Sequence, residues 1–302
     1  MLRTNENALV EISVQCQVCH PTRTGRWSVD HEGKPFLLPG MGGIAYNVKV
    51  GDPAFGWAAD HVEPGASTML EEKEPSGSRN MGLNFHVCIG NEARVITGDA
   101  KGARGIVTGH HGGAEHVLID FADKDLEKLT HDDKILIRTV GQGLKLLDWP
   151  DVVVVNTSPA LLKKMRLKPN RDGTLTVPVA KIIPGYLMGS GIGSTSIGTG
   201  DYDIMDTDEQ MVKEHRLDEL RLGDIVAITD HDNRYGRSYR RGAITIGVVI
   251  HGYCHNGGHG PGVTTLLSAA KPMLKPKLDR NANLANYFRI GRLRPGAKKL
   301  KR

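Results

Sequence analysis

The sequence predicts an α+β, β-rich protein with a small β-barrel-like N-terminal domain and a mixed α/β C-terminal domain. Glycine makes up 37 of the 302 residues, well above the usual ~7%, which indicates many tight turns. Short apolar alternations separated by glycine clusters fill the first half, as in small barrels and sandwiches. Because the pattern changes after Trp149-Pro150, we predict domains over 1–150 and 151–288 and a basic tail over 289–302.

The first half contains five segments that alternate or break like strands. Alternation favours a strand in EISVQCQVCH, and glycine-rich turns separate the segments that follow it. The predicted strands lie within 11–20, 44–50, 84–97, 98–121 and 134–143.

The second half mixes both types of element. Thr207 is a candidate N-cap, with Asp208 and Glu209 in the first turn of an amphipathic helix. The predicted strands are 152–156, 174–183, 223–230 and 242–251, and the predicted helices are 160–167, 207–220, 264–270 and 282–288.

The net charge of +5 is unevenly distributed. The tail 289–302 holds seven Lys or Arg residues and no acid, so the rest of the chain carries a net −2. Nucleic-acid binding through the tail is therefore only weakly supported. Neither a signal-peptide core nor a membrane-spanning apolar run is visible, so we expect a cytoplasmic protein without a membrane partner.

Cys16, Cys19 and His20 form the C-x-x-C-H spacing of covalent haem attachment. We expect no haem, because the sequence shows no export signal and the segment alternates like a strand. Small buried cysteines are the favoured interpretation, and a zinc or redox pair stays open as an alternative.

Three glycine-rich segments carry histidines and acids, at 109–116, 188–206 and 230–262. Such loops pack poorly, and binding is their natural function, although tight turns between strands explain the glycines equally well. Imidazoles and carboxylates together suit Zn²⁺, Mn²⁺ or Mg²⁺. The candidate metal ligands are His111, Asp230, Asp232, His251, His255 and His259. The alternative for the Asp230 segment is a solvated turn that caps backbone amides.

The same segments supply candidates for catalysis and anion binding. Gly257–Gly262 leads into the predicted helix at 264, whose free N–H groups would attract an anion. The candidate acid/base residues are His110, Asp201 and Asp203, and the candidate anion-binding residues are Gly191, Gly193, Ser194, Arg234, Gly260 and Thr264.

Five long strings resemble a family of uncharacterised bacterial and archaeal hypothetical proteins, known from thermophiles and described as a domain of unknown function. The strings are PGMGGIAYNVKVGD, GHHGGAEHVLIDF, GSGIGSTSIGTGDYDI, DHDNRYGRSYRRGAITIGVVIHG and GHGPGVTTLLS. The resemblance covers most of the chain except the tail, and Cys16 and Cys19 lie outside it. It implies a single architecture and assigns no residue a role.

We therefore expect a site at the domain junction and a metal-assisted hydrolase, or a related enzyme, acting on a small polar or anionic molecule. The alternative is a non-catalytic ligand-binding or oligomer-forming protein whose glycine loops pack at subunit contacts. A homo-oligomer is expected in either case.

Overall fold

Six antiparallel strands of the N-terminal half close into a barrel, which confirms the β-rich, barrel-like prediction. The computed structural model describes residues 2–21, 27–70 and 77–300. The elements of this half are β1 (Ile12–Val18), β2 (Ser28–Val29), β3 (Pro35–Phe36), β4 (Ile44–Ala45), β5 (Gly65–Met69), α1 (Ser78–His86), β6 (Glu92–Val95), β7 (Arg104–His111), β8 (His116–Asp120), α2 (Asp123–Leu126) and β9 (Lys134–Thr139).

The barrel runs in the order β1-β9-β6-β7-β8-β5 and closes where β5 pairs with β1 at Val18↔Thr68. Alternate residues point inward, so Val95, Val107 and Ile135 are fully buried in the barrel core. Strand β4 pairs with β5, and the short β2–β3 hairpin forms a separate sheet.

Two strand predictions in this half were wrong. Residues 84–86 end helix α1 instead of starting a strand pair, since Asn80, Leu83 and Asn84 form one buried helical face. Only Ile44–Ala45 of the predicted strand 44–50 is extended in the sheet. Val48 and Val50 are nevertheless buried, because the following bends turn them toward the core.

The second half forms a mixed sheet, β10-β17-β16-β15-β13, with β14 paired to β17. A smaller sheet, β11-β12-β18, packs beside it. The elements are β10 (Val153–Val154), α3 (Pro159–Lys164), β11 (Lys168–Pro169), β12 (Leu175–Val179), β13 (Lys181–Ile183), β14 (Tyr202–Asp203), α4 (Glu209–Glu214), β15 (Ile225–Asp232), β16 (Ser238–Val249), β17 (Gly262–Ala269), β18 (Leu274–Leu278) and α5 (Leu284–Phe288). Single 3₁₀ turns occupy Glu6–Ala8, Gly185–Leu187, Leu217–Glu219 and Gly291–Leu293.

The helix predicted at 264–270 is strand β17, and that prediction was wrong. Every residue of β17 is buried, and the strand pairs along much of its length with β16. The β-branched Val263, Thr264 and Thr265 fit a strand buried on both faces better than a helix. Helix α4 is also shorter than predicted: Asp208 caps it, accepting bonds from Gln210 and Met211.

The described part of the basic tail packs against the N-terminal half. The Arg292 guanidinium donates to both carboxylate oxygens of Asp52 at 2.6 Å, and Arg294 pairs with buried Asp120. These two of the tail's seven basic residues are therefore paired with acids of the same chain. Across the described ranges, helices are too short or too polar to cross a bilayer.

Candidate metal centre

A cavity of about 730 Å³ lies where the β7–β8 hairpin of the barrel meets the loop that precedes β14. Its wall carries His61 and His111 from the N-terminal half, and Asp201, Asp203 and His259 from the C-terminal half. His251, which follows β16, lies directly behind these residues and is fully buried. Together, these six side chains are called the donor set below.

Secondary structure brings these donors together from distant parts of the chain. His111 is the last residue of β7, and Asp203 is the last residue of β14. Asp201 and Asp203 both point into the cavity because side chains two apart on an extended chain share a face. His61 lies in a loop with a left-handed φ of +52°, which turns its ring toward His259.

The donor atoms fall into overlapping groups of three whose spacing suits a metal ion. Asp203 Oδ2 lies 3.0 Å from His259 Nδ1 and 3.9 Å from His61 Nε2. His251 Nε2 lies 3.0 Å from Asp201 Oδ2 and 3.7 Å from Asp203 Oδ1. Ligands bound at 2.0–2.1 Å around a tetrahedral zinc are about 3.3 Å apart. The observed separations bracket that spacing.

The Nδ1 atoms of His61 and His251 already form hydrogen bonds that point away from the cluster. His61 Nδ1 lies 3.0 Å from Asp60 Oδ2, and His251 Nδ1 lies 2.7 Å from the Gly252 carbonyl oxygen. Carboxylate and carbonyl oxygens only accept hydrogen bonds, so Nδ1 must carry the proton in each ring. The lone pair of each neutral ring is then on Nε2, which faces the cluster, as in metal-binding histidines.

Glu63 orients His111 in the same way. Its Oε1 accepts from His111 Nδ1 at 2.6 Å and from His116 Nδ1 at 2.9 Å, while Oε2 accepts from the Ser67 hydroxyl at 2.5 Å. On the far side, His116 Nε2 lies 3.5 Å from Cys19 Sγ. Cys16, within β1, and Cys19, just after it, are buried free thiols, as expected.

Two buried atoms of the donor set, a ring nitrogen and a carboxylate oxygen, form no hydrogen bond to the described residues. His251 Nε2 and Asp201 Oδ2 are in contact, but they are not aligned as a hydrogen bond and neither has another partner among the described residues. A Cβ at Gly262 would lie 1.9 Å from Asp201 Oδ2 and 2.2 Å from His251 Nε2. Only glycine leaves room for both atoms at this position of β17.

The charges of the cluster are strongly coupled. Burial opposes a charge on His251, but the Asp201 and Asp203 carboxylates outweigh it and raise the His251 pKa well above its usual range. Burial likewise opposes the Asp203 carboxylate, but the neighbouring His251 and His259 rings outweigh it and lower the Asp203 pKa. A metal ion that binds here must displace the His251 proton, so its affinity should fall at low pH.

Three of the six predicted metal ligands, His111, His251 and His259, belong to the donor set. The other three do not. Asp230 has a left-handed φ of +56° at a register shift in β15, and its carboxylate accepts from the Gly242 amide. Asp232 pairs with Arg234 at 2.9 Å. His255 packs against the Phe36 ring instead.

Of the predicted catalytic residues, Asp201 and Asp203 lie at the cavity and His110 does not. His110 precedes His111 on β7, so strand alternation turns it away from the cavity into the interior. There burial lowers the His110 pKa to about 4, and neither ring nitrogen has a hydrogen-bond partner in the described chain.

The predicted anion-binding residues divide in a similar way. Gly191 and Ser194 line the cavity, and the Gly193 amide next to them donates to the Arg237 carbonyl. The remaining three lie elsewhere: Arg234 is bound to Asp232, Gly260 is buried against Ile204, and Thr264 donates to the His110 carbonyl from within β17. Since Thr264 does not begin a helix, the helix-dipole argument for it fails.

Sequence reasoning missed His61, Glu63 and Glu115, and it did not select Arg237. The segment Asp60-His61-Val62-Glu63 has an available signal, because an acid, a histidine and a second acid lie within four residues before a proline-glycine turn. Arg237 was inconspicuous among four arginines of one hairpin, yet it alone of them lines the cavity.

Fold and site together define a class of two-domain proteins in which a closed barrel and a mixed sheet meet at a buried His/Asp cluster. The chain belongs to the DUF4438 family: residues 27–163 match the "Domain of unknown function (DUF4438), N-terminal" and residues 164–288 match its C-terminal counterpart. This confirms the resemblance derived from the sequence. A solved structure titled "Crystal structure of TM1086" is similar, with 47% identity and a TM-score of 0.89 over 95% of this chain and 99% of that chain. No curated protein matches the chain.

Proposed function

We propose that the protein is a metal-dependent hydrolase of a small polar or anionic substrate, with its metal held by the donor set. One observation carries the proposal. His61, His111 and His251 each use Nδ1 for a hydrogen bond to an accepting oxygen, which leaves each Nε2 facing the Asp201 and Asp203 carboxylates. Histidines that bind a metal almost always donate their other ring N–H to a carboxylate or carbonyl oxygen in this way.

The donor types favour Zn²⁺ or Mn²⁺ over Mg²⁺. Four imidazoles and two carboxylates suit these ions, whereas Mg²⁺ prefers oxygen ligands alone. Cys254 also lies near His61 and His259. Burial raises the Cys254 pKa, and its Sγ accepts a bond from the Asn256 amide, so an ion bound there would have to displace the thiol proton. A divalent ion in such a site polarises a substrate carbonyl or phosphoryl group and lowers the pKa of water.

Arg237 supplies a cation for the substrate. Its side chain lines the cavity although the residue is only 4% exposed. Its Nη2 donates to the Thr199 carbonyl at 2.9 Å, and its buried Nε has no partner within the described chain. A buried guanidinium with an unsatisfied donor binds a carboxylate or phosphate well. Ser190 and Ser194 line the same cavity.

Metal content is the primary test. Protein purified without a histidine tag should contain about one Zn or Mn per chain by elemental analysis. Asp201→Asn and His251→Ala should lose the metal while keeping the circular dichroism spectrum of the wild type. Asp230→Asn is the matched control, because Asp230 lies outside the donor set, and its metal content should be unchanged. Wild-type protein without metal, and without a rise in melting temperature on adding Zn²⁺ or Mn²⁺, would support the non-catalytic alternative.

Activity is the second test. Metal-loaded protein should be assayed on carboxylic esters, amides and phosphate monoesters, each with and without an added carboxylate group. Arg237→Gln should raise KM for the anionic members and leave the neutral members unaffected. An equal effect on both groups would exclude Arg237 from anion recognition.

A further inference from the structure

We propose that Glu115 is the general acid/base of this site, an inference that rests on the proposed hydrolytic function. Glu115 lines the same cavity as the donor set and Arg237. It is not a candidate ligand in any of the metal-binding groups. In a metal-assisted hydrolysis, a carboxylate that shares the cavity with the ion but does not bind it can move protons.

The chain places Glu115 by fixing both ends of the β7–β8 turn. At one end, the Gly112 amide donates to Asp201 Oδ1 at 2.7 Å, which ties the turn to the donor set. At the other end, the Glu115 carbonyl accepts bonds from the Asn80 and Asn84 side chains, each at 3.1 Å. These two asparagines are fully buried in helix α1. The turn is thus fixed by two separate parts of the molecule.

The backbone of Glu115 has a conformation that is unfavourable for glutamate. Its φ is +56°, in the left-handed region where glycine or asparagine is normally found. The Asn80 and Asn84 side chains both donate to the carbonyl of this residue. Unfavourable conformations that the surroundings fix in this way occur preferentially at functional sites.

The Glu115 carboxyl group has an oxygen that is not used in a hydrogen bond to the described residues. Glu115 Oε2 is buried and has no hydrogen-bond partner among the described residues. Burial raises the Glu115 pKa, outweighing a hydrogen bond from the Gly113 backbone, and nearby Asp201 raises it further. A carboxyl group in this environment changes between its charged and neutral forms closer to neutral pH, as proton transfer requires.

The step balances without any further reactant. Glu115 as carboxylate takes a proton from the attacking water, whose oxygen forms a bond to the electrophilic carbon or phosphorus of the substrate. As the bond to the leaving group breaks, the protonated Glu115 gives that proton to the leaving atom. One water is consumed, and Glu115 returns to its charged form.

Acetohydroxamate tests this role without knowledge of the natural substrate. It binds metals as an anion, so at about pH 6, where a zinc-bound water keeps its proton, the proton of acetohydroxamate must go either to a protein base or to the buffer. Calorimetry in two buffers of different ionisation enthalpy counts the released protons. For metal-loaded wild type we expect almost none released, and for Glu115→Gln about one per chain. Glu92→Gln, an exposed change on β6, is the control and should behave as wild type.

Rates give a second readout. On any substrate that wild type hydrolyses, Glu115→Gln should lower kcat by roughly 10²–10⁴-fold and remove the acidic limb of the pH profile, with metal content unchanged. Equal proton counts for Glu115→Gln and wild type would overturn the assignment while leaving the metal site intact. If wild type binds neither metal nor acetohydroxamate, the hydrolase proposal itself fails, and the role of Glu115 fails with it.

Discussion

The ion pair between Glu63 and His116 predicts how the stability of the metal-free protein depends on pH. Both side chains are almost fully buried, and His116 Nδ1 contacts both oxygens of Glu63 at 2.9 and 3.1 Å. Burial opposes the His116 charge, but Glu63 outweighs it and raises the His116 pKa from 6.5 to about 10. A raised pKa in the folded state means that the folded protein binds this proton more tightly than the unfolded chain.

The raised His116 pKa fixes the direction of the change in stability and the pH range over which it occurs. The stabilising effect of His116 is fully present below pH 6.5 and is lost progressively as the pH rises toward about 10. The full difference corresponds to on the order of 5 kcal/mol in the free energy of unfolding. Glu63 has a pKa well below its usual range, so its own effect persists above pH 4.5 and disappears only in stronger acid.

The measurement is urea denaturation, in the presence of a chelator, across this range of pH. Wild type should lose stability as the pH rises, and Glu63→Gln should show a smaller slope; His251, whose pKa is also raised, accounts for slope that remains. Near pH 6.5 the same variant should be about 3–5 kcal/mol less stable, because it leaves a buried cation without its partner. A Glu63→Gln/His116→Asn double-mutant cycle isolates the pair. Parallel stability curves for wild type and Glu63→Gln would refute this reasoning.

Two further predictions concern packing and the tail. Gly262→Ala should abolish metal binding in a folded protein, because its Cβ would lie 1.9 Å from Asp201 Oδ2; the control Gly82→Ala, which meets open space, should bind metal normally. Elemental analysis of the two purified variants measures this difference in metal content. Arg294→Ala should lower the free energy of unfolding by about 3 kcal/mol at neutral pH by leaving Asp120 unpaired. Since burial raises the Asp120 pKa, that deficit should shrink in acid, and a constant deficit in denaturation experiments would contradict the explanation.

Local periodicity explains what the sequence predicted correctly. Alternation identified β1, β9 and β15, and the short, glycine-separated strands indicated the barrel. Periodicity predicted the wrong element at 264–270, because a short apolar run fits a buried strand and a helix equally well. The decisive facts were the neighbours of β17, which are distant in the chain.

Five of the six members of the donor set were candidates from the sequence. Histidines and acids in and beside glycine-rich loops drew attention to His111, His251, His259, Asp201 and Asp203, the three histidines as metal ligands. His61 contacts His259 across 198 residues of chain, and its orientation depends on a left-handed φ in a loop without periodicity. Asp230 and Asp232 resembled ligands, but a register shift in β15 and neighbouring arginines give their carboxylates other partners.

The boundary between the two family segments, at residues 163 and 164, separates the donors. His61 and His111 lie on one side, and the two aspartates and the other two histidines lie on the other. An ion held by all of them would cross-link the halves, so its binding free energy would include that of their association. A chain cut at this boundary would yield two complementary fragments, and metal should promote their reassembly into one complex.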